Sequence, residues 1–461
     1  MAGIGFVLRN LTRQDNLMGL LAGFGYSALV ATGPWLFTIM ALSATLYLGG
    51  LVTNFHEQEG FRIIIIYNFA FSLVFSGPVV MVVTRYVADR IYIKDVQKVP
   101  GSLIGGLVLL FGTQAPLAGV FYFFAVDLTL VVRLHALTNY FLITGIWLAA
   151  VYITALKDYQ AVIRTFLIGM AMGTVSNAFL ATEYGLAGML FGFNVGLAII
   201  FFSLCARVFA EYPHEATQVF DFMSHFRKYW ALALGGLFFN MASWVDKWIM
   251  WFSPHSTPAV GGFPSYSDYD GAMFLAYLSI VPSMATFVLS METGFFEKYL
   301  KFYQDIQKHV SLARIMENHR AMIDSIHGSG RNFLVLQGAI SLLAVLMAPQ
   351  LLGWLGINFL QLSIYRLGVM GSFYHVMVLF LGIVLSYFDF RNQFLMISAV
   401  FLASNLILTT VSMKLGFAYY GYGYFGATMI TFAVAFLITF KRVVDLPYHT
   451  FISQNVSVSK G

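Results

Sequence analysis

Long apolar runs recur along almost the whole chain, and they limit its fold more than any other feature. A helix that crosses a hydrocarbon core about 30 Å thick needs about 20 mostly apolar residues. Twelve stretches reach that length, near 17–48, 63–84, 102–125, 134–156, 161–181, 185–207, 229–252, 271–292, 332–352, 365–387, 392–413 and 418–440. They predict an all-α polytopic membrane protein. Charged residues make up 10% of the 461, against about a quarter in soluble proteins, so a soluble fold is excluded. The gaps between runs are short and leave no room for a separate soluble domain. Cys205 is the only cysteine, which excludes an intrachain disulfide and a multi-cysteine metal site; neither metal nor cofactor is expected.

The basic residues orient the chain. Loops rich in Lys and Arg stay in the cytoplasm. Of the 26 Lys and Arg residues, 21 fall at the two ends and in every second gap, and the other five are Arg62, Arg133, Lys247, Arg366 and Lys414. Both termini are therefore expected to be cytoplasmic. The net charge of +5 reflects this topology and gives no support to nucleic-acid binding. The opening MAGIGFVLRNLTR is not expected to be a signal peptide, because Arg9 and Arg13 follow its apolar patch. Ile4, Val7, Leu8 and Leu11 share one helical face, which predicts a short helix on the inner membrane surface.

Six spans, a polar link near 208–228 and six more spans predict two lobes, 1–228 and 229–461, around a central cleft. The second span of each half carries an interior proline, Pro78 and Pro282, and runs into a charged extension. Proline removes a helical hydrogen bond, so Pro34, Pro78 and Pro282 are candidate helix bends.

Three polar stripes run at helical spacing: Asn68, Ser72 and Ser76; Gly236, Asn240, Ser243 and Lys247; and Ser279, Ser283, Thr286 and Ser290. Each admits two readings, the wall of a hydrated substrate path or helix–helix packing. Gly19, Gly23 and Ser27 favour packing. Ionisable groups inside a membrane are candidates for function. Asp246 and Lys247 lie among Trp244, Trp248 and Trp251, which suggests an outer interfacial belt, so the pair sits at the headgroup level or at an outward mouth. Arg133 and Arg366 begin spans and are expected to snorkel. His375, near mid-membrane, is a path residue or a satisfied helix contact. The lack of a deep carboxylate argues against ion-coupled drug efflux.

The longest polar segment, about 295–327, predicts one amphipathic cytoplasmic helix that continues the eighth span and stops at Gly328-Ser329-Gly330. Its apolar residues Tyr299, Tyr303, Ile306 and Val310 need a cover: this protein, the membrane surface or a docked partner. Asp268 and Asp270 lie in a Pro/Gly-rich outer loop of connector composition.

The most specific text is the opening. Gly3-Ile4-Gly5-Phe6, Leu8-Arg9 and Thr32-Gly33-Pro34-Trp35, followed by Ser76-Gly77-Pro78 and Thr84-Arg85-Tyr86, resemble the PelG family, the polytopic inner-membrane component of the bacterial Pel exopolysaccharide machinery. The pointed motifs cover the first hundred residues or so; the rest agrees in length and layout. The resemblance implies a flippase-like fold of the multidrug/oligosaccharidyl-lipid/polysaccharide exporter superfamily in the bacterial inner (cytoplasmic) membrane. It implies three partners: a cytosolic glycosyltransferase, a cyclic-di-GMP-binding membrane protein and a helical-repeat membrane protein. It also implies a nascent N-acetylgalactosamine-rich polymer as substrate, in biofilm formation, and no catalytic residue.

The resulting expectation is a non-enzymatic export component that conducts a polymer outward while a synthase extends it. Rival readings are a flippase for lipid-linked oligosaccharide, an ion-coupled exporter of the same fold, and a non-conducting scaffold of the synthase. A membrane glycosyltransferase using Glu57 and Glu59 is disfavoured, because such enzymes need larger outward loops.

Overall fold

The computed structural model describes residues 17–156, 158–356 and 358–453. The predicted surface helix over Ile4–Leu11 and the Gly3–Arg9 motifs lie outside these. Among the described residues there is no strand. Nine helical segments among the described residues are long and apolar enough to cross a membrane. Elements are α1 (Leu17–Gly49), α2 (Phe55–Tyr92), α3 (Val99–Val120), α4 (Leu130–Leu156), α5 (Tyr159–Glu211) and α6 (Met223–Met250). They are followed by α7 (Ser267–Leu278), α8 (Val281–Ser290), α9 (Phe296–Gln307), α10 (Leu312–Leu346), α11 (Ala348–Trp354), α12 (Leu362–Tyr387), α13 (Arg391–Leu415) and α14 (Tyr422–Val444). The helices α1 and α6 also coincide with expected spans, although they fall outside the nine.

The chain packs as two compact units, Gly33–Ser267 and Asp268–Gly461, with the residues before Gly33 grouped with the second. The sequence predicts a division at 228/229; in the structure α6, which follows that point, packs along α2 within the unit Gly33–Ser267.

In the unit Gly33–Ser267, α5 is a helical hairpin. Its 53 residues are broken at Gly185, whose φ of 52° is left-handed, a conformation that glycine adopts without steric cost. This corresponds to the expected break between the fifth and sixth spans. The two legs nearly touch: a methyl group at Gly192 would lie 2.4 Å from Asn177 N. Membrane helices have no hydrophobic drive to associate, so such close backbone approach supplies the dispersion contact instead. The link after α5 is pinned to the same unit. A methyl at Gly105 would lie 1.8 Å from Val219 O, and Phe222 is wholly buried. Asp221 Oδ2 accepts from Tyr86 at 2.9 Å and from Arg90 at 2.6 Å, with Lys98 at 3.6 Å. Burial alone would raise the Asp221 carboxyl, but the Tyr86 hydroxyl, Lys98 and Arg90 outweigh it and hold it below its ordinary value. At the start of α2, Asn54 Oδ1 accepts from Glu57 N at 2.9 Å and Glu57 Oε2 accepts from Asn54 N at 3.2 Å. Glu57 thus closes a capping box.

In the unit Asp268–Gly461, the expected eighth span is two helices, α7 and α8, separated at Ser279-Ile280, with Pro282 in the first turn of α8. Proline is tolerated there because the first helical N–H groups have no intrahelical partner. Pro34 and Pro78, by contrast, lie inside helices that continue past them. A π-helical turn, Met291–Phe295, leads into α9.

The single amphipathic helix expected to stop at Gly328-Ser329-Gly330 is not what forms. The chain turns after α9, where His309 has a φ of 53°, and α10 then runs straight through Gly328–Gly330. Ser290 bonds Ser329 at 2.5 Å, and Gly330 packs on Phe380; these tertiary contacts hold the glycines helical. The apolar face of α9 is covered by this same unit. Tyr299 stacks in a cluster with Phe295, Tyr303, Tyr387 and Phe388, and its hydroxyl donates to Tyr387 O at 3.2 Å. Asn318 of α10 donates to Asp305 at 2.7 Å. Tyr303, Ile306 and Val310 are half-buried. Of the three covers the sequence leaves open for this face, the structure shows contacts with this same protein, at Tyr387 and Phe388. The face of α9 that stays exposed carries Glu297, Lys298, Leu300 and Lys301.

Candidate functional site

The first stripe is buried and bonded inside its unit. Asn68 on α2 donates to Asn139 Oδ1 and to Ala136 O, both at 2.9 Å, and accepts from the Tyr122 hydroxyl at 2.6 Å. Asn139 donates onward to Asn194 at 2.8 Å, and Asn194 to His135 O at 2.9 Å. One chain of amides thus joins α2, α4 and the second leg of α5. Ser72 accepts from the Trp147 indole at 3.2 Å, and Ser76 turns to its own helix, at Leu73 O. These three residues take the packing reading. Nearby, Tyr140 and Thr144 donate to Gln114 Oε1 at 2.7 and 3.4 Å. The sequence reading misses Asn139, Asn194 and Gln114, although an amide in an apolar run is a visible signal.

The second stripe meets α2 at Pro78. Asn240 Nδ2 donates to Leu73 O at 3.0 Å, one turn ahead of a proline that supplies no N–H. A methyl at Gly77 would lie 2.8 Å from that amide. Ser243 bonds Phe239 O on its own helix. Asp246 and Lys247 are 0% and 7% exposed. Lys247 Nζ lies 3.1 Å from both carboxylate oxygens and donates to Ser243 O at 3.2 Å. It also sits 5.8 Å from the Trp244 ring, within reach of a cation–π contact. A charge pair buried this way costs much desolvation and survives on close geometry.

Two of the tryptophans pack against aromatic residues of α2. Trp251, 4% exposed, stacks on Tyr67 at 4.6 Å and 13°, and Tyr67 stacks on Phe121 at 5.6 Å. The Tyr67 hydroxyl donates to Pro264 O at 2.6 Å. Trp248 stacks on Phe71 at 5.0 Å and 7°, and Phe71 on Phe75 at 6.2 Å. Phe71 and Trp248 are half-exposed and Phe75 is exposed. On α2 and α6, then, Trp248, Phe71 and Phe75 form a stack of partly exposed rings that ends at the exposed Phe75.

In the other unit, His375 on α12 is buried. Its Nδ1 lies 2.9 Å from Tyr424 Oη and 3.1 Å from Tyr277 Oη, and Tyr424 donates to Tyr277 at 2.8 Å. His375 is thus a satisfied helix contact tying α7, α12 and α14 together. The third stripe disperses. Gln337 approaches Ser279 O at 3.4 Å, and Ser279 and Thr286 bond their own backbones. Ser290 bonds Ser329, and Ser283 Oγ is buried with no partner among the described residues. No cluster of three or more metal-ligating side chains occurs among the described residues.

The fold is that of the MOP superfamily. A multidrug-resistance MATE transporter of that superfamily in its inward-facing conformation matches with a TM-score of 0.62, 13% identity and coverage of 91% of this chain and 99% of that one. A MOP-superfamily transporter from Pyrococcus furiosus, described as having a binding pocket of reverse polarity, matches with a TM-score of 0.62 and 12% identity, covering 95% and 98%. An outward-facing MATE structure gives 0.60 and 15%, covering 96% and 98%. No curated protein matches the chain. The family described as "PelG: Putative exopolysaccharide Exporter (EPS-E)" matches residues 1–451, and the chain belongs to that family. It is a multi-pass membrane protein with an export role.

Proposed function

We propose that this protein conducts a nascent, N-acetylgalactosamine-rich exopolysaccharide of the Pel type across the bacterial inner membrane, with both termini cytoplasmic, while a cytosolic synthase extends it. The observation that carries this reading is the family match over 1–451. The stack of Trp248, Phe71 and Phe75 supports it, because the exposed Phe75 ring at its end offers a surface on which the apolar C–H face of a pyranose can stack. Asn240 and Ser243, half-buried on the same helix as Trp248, add polar atoms for hydroxyls and acetamides. The synthase would meet the exposed face of α9 at Lys298 and Lys301, with the cyclic-di-GMP receptor and the helical-repeat protein completing the assembly. The test is to complement cells lacking this chain with Phe75→Ala plus Trp248→Ala and quantify secreted polymer with an N-acetylgalactosamine-binding lectin. Secretion should fall several-fold at unchanged membrane levels; wild-type secretion by cells without the chain would overturn the export role.

A second reading, an ion-coupled exporter of this fold, is favoured by one observation, the carboxylate of Asp246 at 0% exposure. It requires that Asp246→Asn abolish the dependence of export on the membrane proton or sodium gradient.

A further inference from the structure

The strongest feature left unused lies within the unit Asp268–Gly461. A groove of about 180 Å³ runs between α10, α12 and α14, walled by Ile326, Leu334, Met377, Phe380, Phe432 and Phe436. Three polar side chains break its apolar lining. Arg331 lies at its edge, exposed, and makes no ion pair or hydrogen bond among the described residues. His327, one turn earlier on the same helix, stacks on Phe440 at 6.3 Å and 12°. Thr439 is 3% exposed and lines the groove, and its hydroxyl has no hydrogen-bond partner among the described residues. A threonine buried in a helix ordinarily returns its hydroxyl to the carbonyl one turn back, and a buried hydroxyl left unpaired costs about 1–3 kcal/mol.

The sequence places the groove across a boundary. Before Arg331, α10 carries Arg314, Glu317, Arg320 and Asp324; from Asn332 to Tyr365 there is no Lys, Arg, Asp or Glu. On α14 the uncharged stretch Tyr422–Phe440 ends at Lys441 and Arg442. Arg331 and Lys441 thus mark the headgroup level on two helices. The groove has walls on both sides of that level, from Ile323 and Ile326 to Leu334 and Phe432. A purely apolar partner would leave Arg331 and Thr439 unmet, and a soluble anion would leave the apolar walls exposed. The occupant with both properties is an amphiphile whose anionic head begins where its chain begins.

We propose that this groove is a binding site for one anionic phospholipid. An acyl chain fills the slot along Phe380 and Phe436, the phosphate pairs with Arg331, and the Thr439 hydroxyl donates to an ester carbonyl. Dispersion along the walls supplies the area, and the guanidinium fork supplies selection for phosphate. This site is independent of the polymer path and of the identity of the exported substrate.

The test uses the full-length protein in detergent, with native mass spectrometry and thermal unfolding against added phosphatidylglycerol or phosphatidylcholine. The wild type should retain one phosphatidylglycerol through mild activation and unfold at a higher temperature with it than with phosphatidylcholine. Arg331→Gln should weaken that retention at least tenfold and erase the preference, and Thr439→Val should weaken it several-fold. Arg320→Gln, on the same helix outside the groove, should change nothing. Gly330→Leu, which narrows the slot, should exclude the lipid without lowering the lipid-free unfolding temperature. Equal retention of the two lipids by the wild type would overturn the proposal. So would undiminished phosphatidylglycerol binding in both Arg331→Gln and Thr439→Val, or a change of oligomeric state in Gly330→Leu with lipid binding intact.

Discussion

Asn240 Nδ2 donates to Leu73 O at 3.0 Å, so a side chain of α6 hydrogen-bonds the α2 backbone a little over one turn before Pro78. Interhelical hydrogen bonds in membranes are worth about 0.6 kcal/mol on average, with about 1.7 as the upper end. We expect Asn240→Leu to cost about 1 kcal/mol in detergent unfolding. Gly77→Val should cost more, because its Cβ would lie 2.8 Å from the Asn240 amide. An unchanged unfolding temperature in both variants would show that this crossing carries no stability.

Asn68 stands at the centre of the amide chain, holding Asn139, Ala136 and Tyr122 at once. Asn68→Leu leaves those buried partners unmet, at about 1–3 kcal/mol. A double-mutant cycle of Asn68→Leu with Tyr122→Phe should show a coupling energy of the same sign and of order 1 kcal/mol. Additive single effects would show that the two residues do not share a network.

The Asp246–Lys247 pair should break asymmetrically. Lys247→Met takes the ammonium from a wholly buried carboxylate, a change that costs about 3–5 kcal/mol when one partner of a buried pair is lost. Adding Asp246→Asn should restore much of the loss. The comparison is the unfolding temperature of the two singles and the double; a double variant worse than either single would contradict the pairing.

Asp221 makes the link after α5 acid-sensitive. Its carboxyl is held below the ordinary value, so its contribution is fully present above the usual carboxylate range and is lost as pH falls through the lowered value. Hydrogen exchange in residues 212–222 should therefore accelerate below that point and stay slow at neutral pH. Asp221→Asn should exchange fast at neutral pH and lose the acid step. Arg90 and Lys98 would then face a neutral amide.

Gly105→Ala should fail to assemble the link at all, because its Cβ would lie 1.8 Å from a backbone oxygen, Val219 O, which cannot move aside as a flexible side chain can. Limited proteolysis within 212–222 is the measurement. Protection equal to the wild type would mean the link is held by Phe222 and Asp221 alone.

The layout of the fold was legible because a bilayer demands long apolar runs, and the expected runs fall on helical segments, although 271–292 and 332–352 are each divided between helices. Pro282 was legible as a break because proline lacks a donor, and the gap between the fifth and sixth runs was legible too, although nothing in the spacing singled out Gly185 as its turn. Gly328–Gly330 misled for the opposite reason: Ser290 and Phe380, distant in sequence, hold that segment helical. The turn at His309 has no glycine to announce it. The polar stripes showed which helix faces bear amides. They did not show that Asn68 would find Asn139, or that Trp248 would turn its face to Phe71, because side-chain pairing depends on where other helices lie. Spacing also placed Tyr299 and Tyr303 on one face of α9, but it could not reveal that Tyr387 and Phe388 already cover it.

The hairpin of α5 bears on how the chain is made. Its two legs are joined at a single left-handed glycine, and Asn177 Nδ2 donates to Met189 O at 2.8 Å across the turn. A ribosome that has released only the first leg exposes Asn177 and its neighbouring small residues to lipid with no helix to meet them. The second leg completes them at once, so the pair is suited to enter the bilayer together as one translocation event. Lengthening the turn at Gly185 would separate those events and leave the first leg waiting at the insertion machinery.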